Sequence, residues 1–129
     1  MGTCFVAAGV STANLGARTC DFHPKKAGHT LRARELAGGL SRGAISGIGR
    51  EERYKPGDQW IERLKNRTGV IYFHNYYNAQ GNPEGPLNGD HIDLWQNWRI
   101  TDTLQSLWRL WFRDGGAYNQ GEVWFWPVP

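Results

Sequence analysis

The alternation of polar and apolar residues at 91–95, HIDLW, constrains the fold of this chain more than any other feature. A period of two places successive side chains on opposite faces of a β-strand, so this segment predicts a strand. The run GVIYF at 69–73 is β-branched and aromatic, which favours a second strand. The closing segment GEVWFWPVP, at 121–129, predicts a last strand that ends at proline.

Helical spacing of apolar residues is found mainly in the first half of the chain. Helices are predicted over 4–15, ended by Gly16; over 31–40, capped by Thr30; over 59–66, capped by Asp58; and over 101–116. The segment 74–90, between two predicted strands, is predicted to be a long loop. Helices early and strands late predict an α+β fold with an antiparallel sheet.

The size and charge of the chain narrow the classes of function. Its 129 residues predict a single domain, and its 17 glycines argue against an all-helical bundle. The net charge of +3 is small and no basic run exceeds Lys25 and Lys26, which argues against nucleic-acid binding. No stretch approaches the ~18–20 apolar residues of a membrane span. The first residues, MGTCFVAAGVSTANLG, lack a basic signal-peptide region, so export by a non-Sec route is expected.

The two cysteines, Cys4 and Cys20, are too few for a disulfide framework and lack zinc spacing with the histidines, so no metal site is predicted. Cys4 precedes an apolar, possibly helical stretch. A thiol at a helix N-terminus is favoured as thiolate, which makes Cys4 a candidate nucleophile. Two alternatives stay open: a small buried side chain, or a disulfide with Cys20 that would leave no nucleophile.

His91 is the best candidate for a general base, because a strand holds an imidazole more rigidly than a loop. The alternative is a core histidine bonded to a carbonyl group. The other three histidines are weaker candidates: His23 and His29 lie in a polar segment, and His74 begins the predicted long loop.

A catalytic histidine also needs an acceptor that orients its second ring nitrogen. Asp102 is placed for this role if the chain turns back after 95, although it is equally suited to cap the helix over 101–116. Asp93 lies two residues from His91 and should share its face of the strand, so it competes for the same role. Asp90 should point to the opposite face.

Three segments resemble the type VI secretion amidase effectors, in particular the fourth amidase-effector family: GTC at 2–4, GDHIDLW at 89–95 and VWFWPVP at 123–129. RARELAGGL at 32–40 and TGVIYFHNY at 68–76 fall where that family has a helix and a strand leading to its histidine strand. The resemblance therefore covers essentially the whole chain.

This resemblance implies a papain-like (NlpC-type) cysteine hydrolase fold over a single domain, 1–129, with an N-terminal nucleophile helix packed on an antiparallel sheet. It implies Cys4 as nucleophile, His91 as base and Asp102 as the third member, with no metal and no cofactor. The implied reaction is hydrolysis of peptidoglycan stem peptides at the γ-D-glutamyl–meso-diaminopimelate bond, in the periplasm of a rival bacterium. The implied partners are the type VI secretion machinery, the stem peptide and a cognate immunity protein.

The chain departs from the family pattern near its start. Only three residues precede Cys4, and Ala7 and Gly9 stand where the family has an arginine and a serine. Cys20 matches no family position. These departures leave open an inactive homologue, or a non-catalytic cell-wall-binding module with an aromatic groove. The residues of that groove would be Trp95, Trp98, Tyr76 and Tyr77.

Overall fold

A computed structural model describes residues 5, 8–18, 32–78, 84–101 and 116–129. These residues form one antiparallel sheet of five strands in the order β1-β5-β2-β3-β4. The strands are β1 (Glu52–Tyr54), β2 (Thr68–Tyr77), β3 (Gly89–Gln96), β4 (Arg99–Ile100) and β5 (Glu122–Pro127). The predicted α+β fold with an antiparallel sheet is therefore confirmed.

The three predicted strands all form, and β2 and β3 are longer than predicted. β2 continues four residues beyond 73 and includes His74, so the prediction that His74 begins a loop is wrong. The cause is visible in the pairing: His74 still lies opposite Glu122 of β5. The connection between β2 and β3 is correspondingly shorter than the loop predicted over 74–90.

Two α-helices lie among the described residues, α1 (Ala33–Ser41) and α2 (Trp60–Leu64). Both were predicted, but the capping residues predicted for them are wrong. α1 follows Arg32, so Thr30 does not occupy the capping position. α2 follows Gln59, and the carboxylate of Asp58 instead accepts a hydrogen bond from the Lys55 N–H at 2.8 Å, which closes a turn.

The start of the chain does not form one helix over 4–15. Gly9 has a φ of +73°, and the Val10 N–H donates to the Phe5 carbonyl at 2.9 Å across it. This pattern ends a helical turn, because a left-handed glycine reverses the chain and satisfies a free carbonyl. A separate 3-10 turn follows at Ala13–Leu15, and Gly16, at φ +60°, ends it as predicted. Most of the predicted helix over 101–116 lies outside the described residues.

The sheet buries apolar side chains on both faces, and each face takes its name here from the helix that covers it. On the α2 face, Trp60, Ile61 and Leu64 of α2 pack against strand residues such as Ile71, Phe73, Trp95 and Phe125. On the α1 face, Leu36, Ala37 and Leu40 of α1 pack against Val70, Tyr72 and Trp126, together with Phe5 and Leu15. Within the described ranges, no helix combines the length and apolar character that crossing a membrane requires.

Candidate active site

The structure describes one of the three predicted catalytic residues. His91 is the third residue of β3, and its side chain is 41% exposed at the edge of the α2 face. Cys4 and Asp102 lie outside the described residues, as does Cys20. The geometry of the candidate site is therefore that of His91 and the groups around it.

The His91 ring rests on an aromatic wall. It stacks on Phe73, the residue opposite it on β2, with ring centroids 6.3 Å apart and planes 13° apart. Phe73 in turn stacks on Tyr118 at 4.0 Å and meets the edge of Tyr76 at 6.0 Å. Because these three rings are buried, one side of the imidazole is packed while its remaining surface faces solvent.

Among the residues that the structure describes, Asp93 is the carboxylate nearest to His91. Its Oδ2 atom lies 3.5 Å from His91 Nε2, while Oδ1 accepts hydrogen bonds from the Leu94 N–H at 2.8 Å and from the Thr101 hydroxyl. Burial pushes the pKa of Asp93 upward, but the hydrogen bonds from His91, Thr101 and the Leu94 N–H outweigh it, so the pKa is lowered. Asp93 is therefore ionised at neutral pH, beside the imidazole.

The predicted sharing of one strand face by His91 and Asp93 is confirmed, since the carboxylate lies 3.5 Å from the ring. The hairpin from β3 to β4 contributes to this arrangement. Trp95 pairs with Ile100, so the chain reverses and Thr101 returns alongside Asp93.

A second imidazole–carboxylate pair, which the sequence did not predict, lies on the α1 face. His74 Nδ1 is 3.1 Å from Asp90 Oδ1 and 3.1 Å from the Tyr72 hydroxyl. As predicted, Asp90 points to the face opposite His91. The alternation of side chains along β2 could have indicated this position. When the alternation is continued past residue 73, His74 lies on the same face as Val70 and Tyr72.

His74 and Asp90 belong to a closed ring of hydrogen bonds formed by four side chains. Arg34 donates from Nε to Asp90 Oδ2 and from Nη2 to Asn75 Oδ1, both at 2.8 Å. The Asn75 amide Nδ2 lies 3.1 Å from His74 Nε2. Nε2 therefore accepts a hydrogen bond from the Asn75 amide. All the hydrogen bonds among the four side chains are then formed when His74 carries its hydrogen on Nδ1 and donates it to Asp90. Arg34 thereby ties α1 to β2 and β3.

The charge state of Asp90 follows from the same contacts. Burial pushes the pKa of Asp90 upward, but hydrogen bonds from Arg34, from the Asn75 N–H and from the Tyr72 hydroxyl lower it further than burial raises it. The ion pair with Asp90 is also the main cause that raises the pKa of Arg34. Both groups are charged at neutral pH.

The two imidazoles differ in their relation to the N-terminal segment. Phe5, which follows Cys4 in the chain, is buried in the core cluster on the α1 face, to which Val70 and Tyr72 also belong. His74 lies on that face, whereas His91 lies on the α2 face. Phe5 therefore packs on the face that carries His74, not on the face that carries His91.

The alternative of an aromatic groove is not supported by the packing of its four residues. Trp95 is fully buried, with its indole N–H bonded to the Leu64 carbonyl, and Tyr76 is buried in the same core. Tyr77 and Trp98 are exposed, but they lie at opposite ends of β3, roughly 23 Å apart at about 3.3 Å per residue. The prediction that these residues line one groove is wrong.

The described residues hold no group of three or more His, Cys, Asp or Glu side chains placed to bind a metal ion. What they do hold is an α+β domain with an antiparallel sheet and two imidazole–carboxylate pairs on neighbouring strands. Such pairs supply the proton-transfer groups of a hydrolase.

The particular family follows from comparison with known proteins. The family model for type VI secretion system (T6SS), amidase effector protein 4, matches residues 1–126, and the chain belongs to this family. No curated protein matches the chain. Membership makes the chain an antibacterial amidase effector of type VI secretion, with peptidoglycan as the implied substrate and a target bacterium as the implied destination. The family predicted from the sequence is thus confirmed.

Proposed function

We propose that the chain is a single papain-like cysteine amidase domain that hydrolyses the γ-D-glutamyl–meso-diaminopimelate bond of peptidoglycan stem peptides. Cys4 is the nucleophile, His91 the general acid and base, and Asp102 the residue that orients the imidazole. The observation that carries this assignment is the setting of His91. It is a strand-held, partly exposed imidazole, stacked on Phe73, with the Asp93 carboxylate 3.5 Å away.

The reaction uses these side chains together with one backbone N–H and a water molecule. The Cys4 thiolate attacks the amide carbonyl carbon, and the developing oxyanion accepts a hydrogen bond from the Cys4 backbone N–H. His91, protonated when the thiol ionises, gives its proton to the leaving amine as the C–N bond breaks. Water then loses a proton to His91 and attacks the thioester, which releases the acid and restores the thiol.

For Cys4 to act on His91, its thiol must approach past the end of β3, since Phe5 and His91 lie on opposite faces. The His91 side chain is 41% exposed, so its ring is accessible for such an approach. Asp102 follows Thr101, which the β3–β4 hairpin returns beside Asp93. This return toward the imidazole supports Asp102 as the third member.

The biological setting follows from the same assignment. A type VI effector reaches its target without the Sec pathway and meets peptidoglycan in the target's periplasm. An enzyme of this kind endangers sister cells, so we propose a cognate immunity protein that occludes the site.

The first test is digestion of purified peptidoglycan with wild type, Cys4→Ala and His91→Ala, followed by mass spectrometry of the released muropeptides. Wild type should release fragments cut between D-glutamate and diaminopimelate, and both variants should be inactive with unchanged thermal midpoints. Release of the same fragments by Cys4→Ala would refute the assignment of Cys4 as the nucleophile. Cleavage at another bond would refute the substrate assignment alone.

A second experiment identifies the histidine that serves the thiol. Alkylation of Cys4 should slow in His91→Ala and keep its rate in His74→Ala, because only the former loses the imidazole that stabilises thiolate. Slowing in His74→Ala alone would transfer the role to the face where Phe5 packs. Zero thiols in the native, non-reduced protein would indicate a Cys4–Cys20 disulfide and rule out the mechanism.

A third variant addresses the orienting carboxylate. Asp102→Ala should lower the rate by orders of magnitude while the protein stays folded, as for loss of a third triad member. A rate close to that of the wild type would assign the role to Asp93 instead.

A further inference from the structure

A β-bulge lies in β2 directly beside the residue opposite His91. Phe73 pairs with His91 and Tyr77 pairs with Gly89, so three residues of β2, 74–76, face the single residue Asp90 of β3. In its middle, Asn75 has a φ of +51°, a left-handed conformation that glycine adopts without strain and that asparagine adopts more readily than other residues.

The bulge changes which side chains surround His91. Without it, alternation would put Tyr76 on the α1 face with Tyr72 and His74; with it, Tyr76 turns to the α2 face and packs on Phe73. Regular pairing of β2 with β3 also stops at the Phe73–His91 pair. The bulge thus helps to build the wall on which the imidazole stacks and leaves His91 as the last regularly paired residue.

The carboxylate of Asp90 is the group that holds the bulge in place. Oδ1 accepts the Asn75 backbone N–H at 3.0 Å, a donor that the bulge removes from the sheet ladder, and lies 3.1 Å from His74 Nδ1. Oδ2 accepts from Arg34 Nε at 2.8 Å. The Asp90 side chain is only 13% exposed, so these bonds are partly shielded from water.

The Gly121 backbone packs closely against the same bulge. A β-carbon at Gly121 would lie 2.0 Å from the His74 carbonyl oxygen and 2.9 Å from the Asn75 carbonyl. The bulge is therefore fixed on one side by β5 and on the other by Asp90.

We propose that Asp90 is a positioning residue for the amidase reaction: through the bulge at 74–76 it sets the place of the His91 imidazole. This role rests on the proposed function of His91 as general acid and base. Asp90 points to the face opposite the His91 imidazole and acts through the backbone of Asn75 and of its own strand.

The test is Asp90→Asn in the full chain, assayed on a soluble stem peptide well below the thermal midpoints of all variants. An amide presents a donor where one carboxylate oxygen accepted, so it opposes either Arg34 Nε or the Asn75 N–H. We expect kcat to fall about 10- to 100-fold, as for a misplaced catalytic group, with KM within about twofold. A wild-type kcat in Asp90→Asn would overturn the role.

Glu52→Gln is the matched control. Glu52 also has a lowered pKa and binds an arginine, Arg67, through both oxygens, at 2.6 and 2.8 Å, but it lies on β1, three strands away from β3 in the sheet. The substitution Glu52→Gln removes the same charge as Asp90→Asn and a comparable ion pair, so it should lower the thermal midpoint and leave kcat unchanged. An equal loss of kcat in both variants would show a general effect of stability and overturn the role of Asp90.

Rescue separates positioning through the bulge from any other effect of Asp90. Glycine adopts a φ of +51° without strain, so Asn75→Gly makes the bulge less dependent on Asp90. The fall in kcat caused by Asp90→Asn should therefore be several-fold smaller when Asn75→Gly is also present. An equally large fall in kcat in the presence of Asn75→Gly would overturn the proposal that Asp90 acts through the bulge.

The outcomes also separate this role from the function on which it rests. An inactive His91→Ala together with a fully active Asp90→Asn overturns only the positioning role. A fully active His91→Ala overturns the proposed function and the positioning role with it.

Discussion

Two adjacent glycines of α1, Gly38 and Gly39, have different surroundings, so the same substitution at each makes a matched pair. A β-carbon at Gly39 would lie 2.6 Å from the carbonyl oxygen of Leu15 and 2.8 Å from its Cδ2 atom. At Gly38 the nearest atom is Nη1 of Arg42 at 3.4 Å, the end of a flexible side chain. Leu15 is fully buried on the α1 face and cannot move without disturbing that core.

The expected magnitudes follow from two opposing effects. In a helix interior, alanine is more favourable than glycine by about 1 kcal/mol, and this gain applies at both positions. At Gly39 the added methyl must also displace the Leu15 backbone, and overpacking of this kind costs about 1–3 kcal/mol. Gly38→Ala should therefore raise the free energy of unfolding by up to about 1 kcal/mol, and Gly39→Ala should lie about 1–3 kcal/mol below it.

Urea unfolding followed by tryptophan fluorescence measures this difference. With m values of about 1–3 kcal/mol/M, the midpoints of the two variants should differ by roughly 1 M, with similar slopes. Equal stabilisation by both substitutions would refute the reasoning, since it would mean that the segment 8–18 moves away from α1 at no cost. The close packing of Leu15 on Gly39 would then not hold the N-terminal segment.

Two further predictions concern acid stability and the turn after Phe5. Because the pKa of Asp93 is lowered in the folded state, its contribution to stability is present above about pH 4 and is lost as the pH falls through the folded-state value. Asp93→Asn should therefore be less stable at neutral pH and lose less stability on acidification, measured by urea unfolding from pH 7 downward; parallel curves for both proteins would contradict this. Gly9→Ala should lower the free energy of unfolding by about 1 kcal/mol, because φ is +73° and no atom of the described residues lies within 4 Å of the added methyl, so the cost is that of the backbone. An unchanged thermal midpoint would show that the turn does not depend on glycine.

Local patterns predicted the elements better than their ends. Alternation identified the strand that carries His91, and helical spacing identified α1 and α2, because both periods repeat within a few residues. Caps and ends were predicted poorly. Asp58 had the right residue type for a cap, but its carboxylate bonds to the Lys55 N–H, a competition that residue type cannot reveal.

The end of β2 shows the same limit at the candidate site. His74 and Asn75 are polar, which resembles the start of a loop, and the pairing of His74 with Glu122 depends on a strand that lies 48 residues further along the chain (122 minus 74). The second imidazole–carboxylate pair was missed for this reason. Its arginine, Arg34, is 56 residues from Asp90, and no local pattern links positions so far apart.

The sequence by itself determined the family, the class of the fold and the strand on which His91 lies. These depend on short motifs and on repeating patterns of side-chain polarity, which are local properties of the chain. Only the tertiary structure decided that Asp93 meets His91, that Asp90 holds a bulge beside it, and that Phe5 packs on the opposite face. Such contacts depend on register and on the local interruption of a ladder, and a shift of one residue would move every side chain of a strand to its other face.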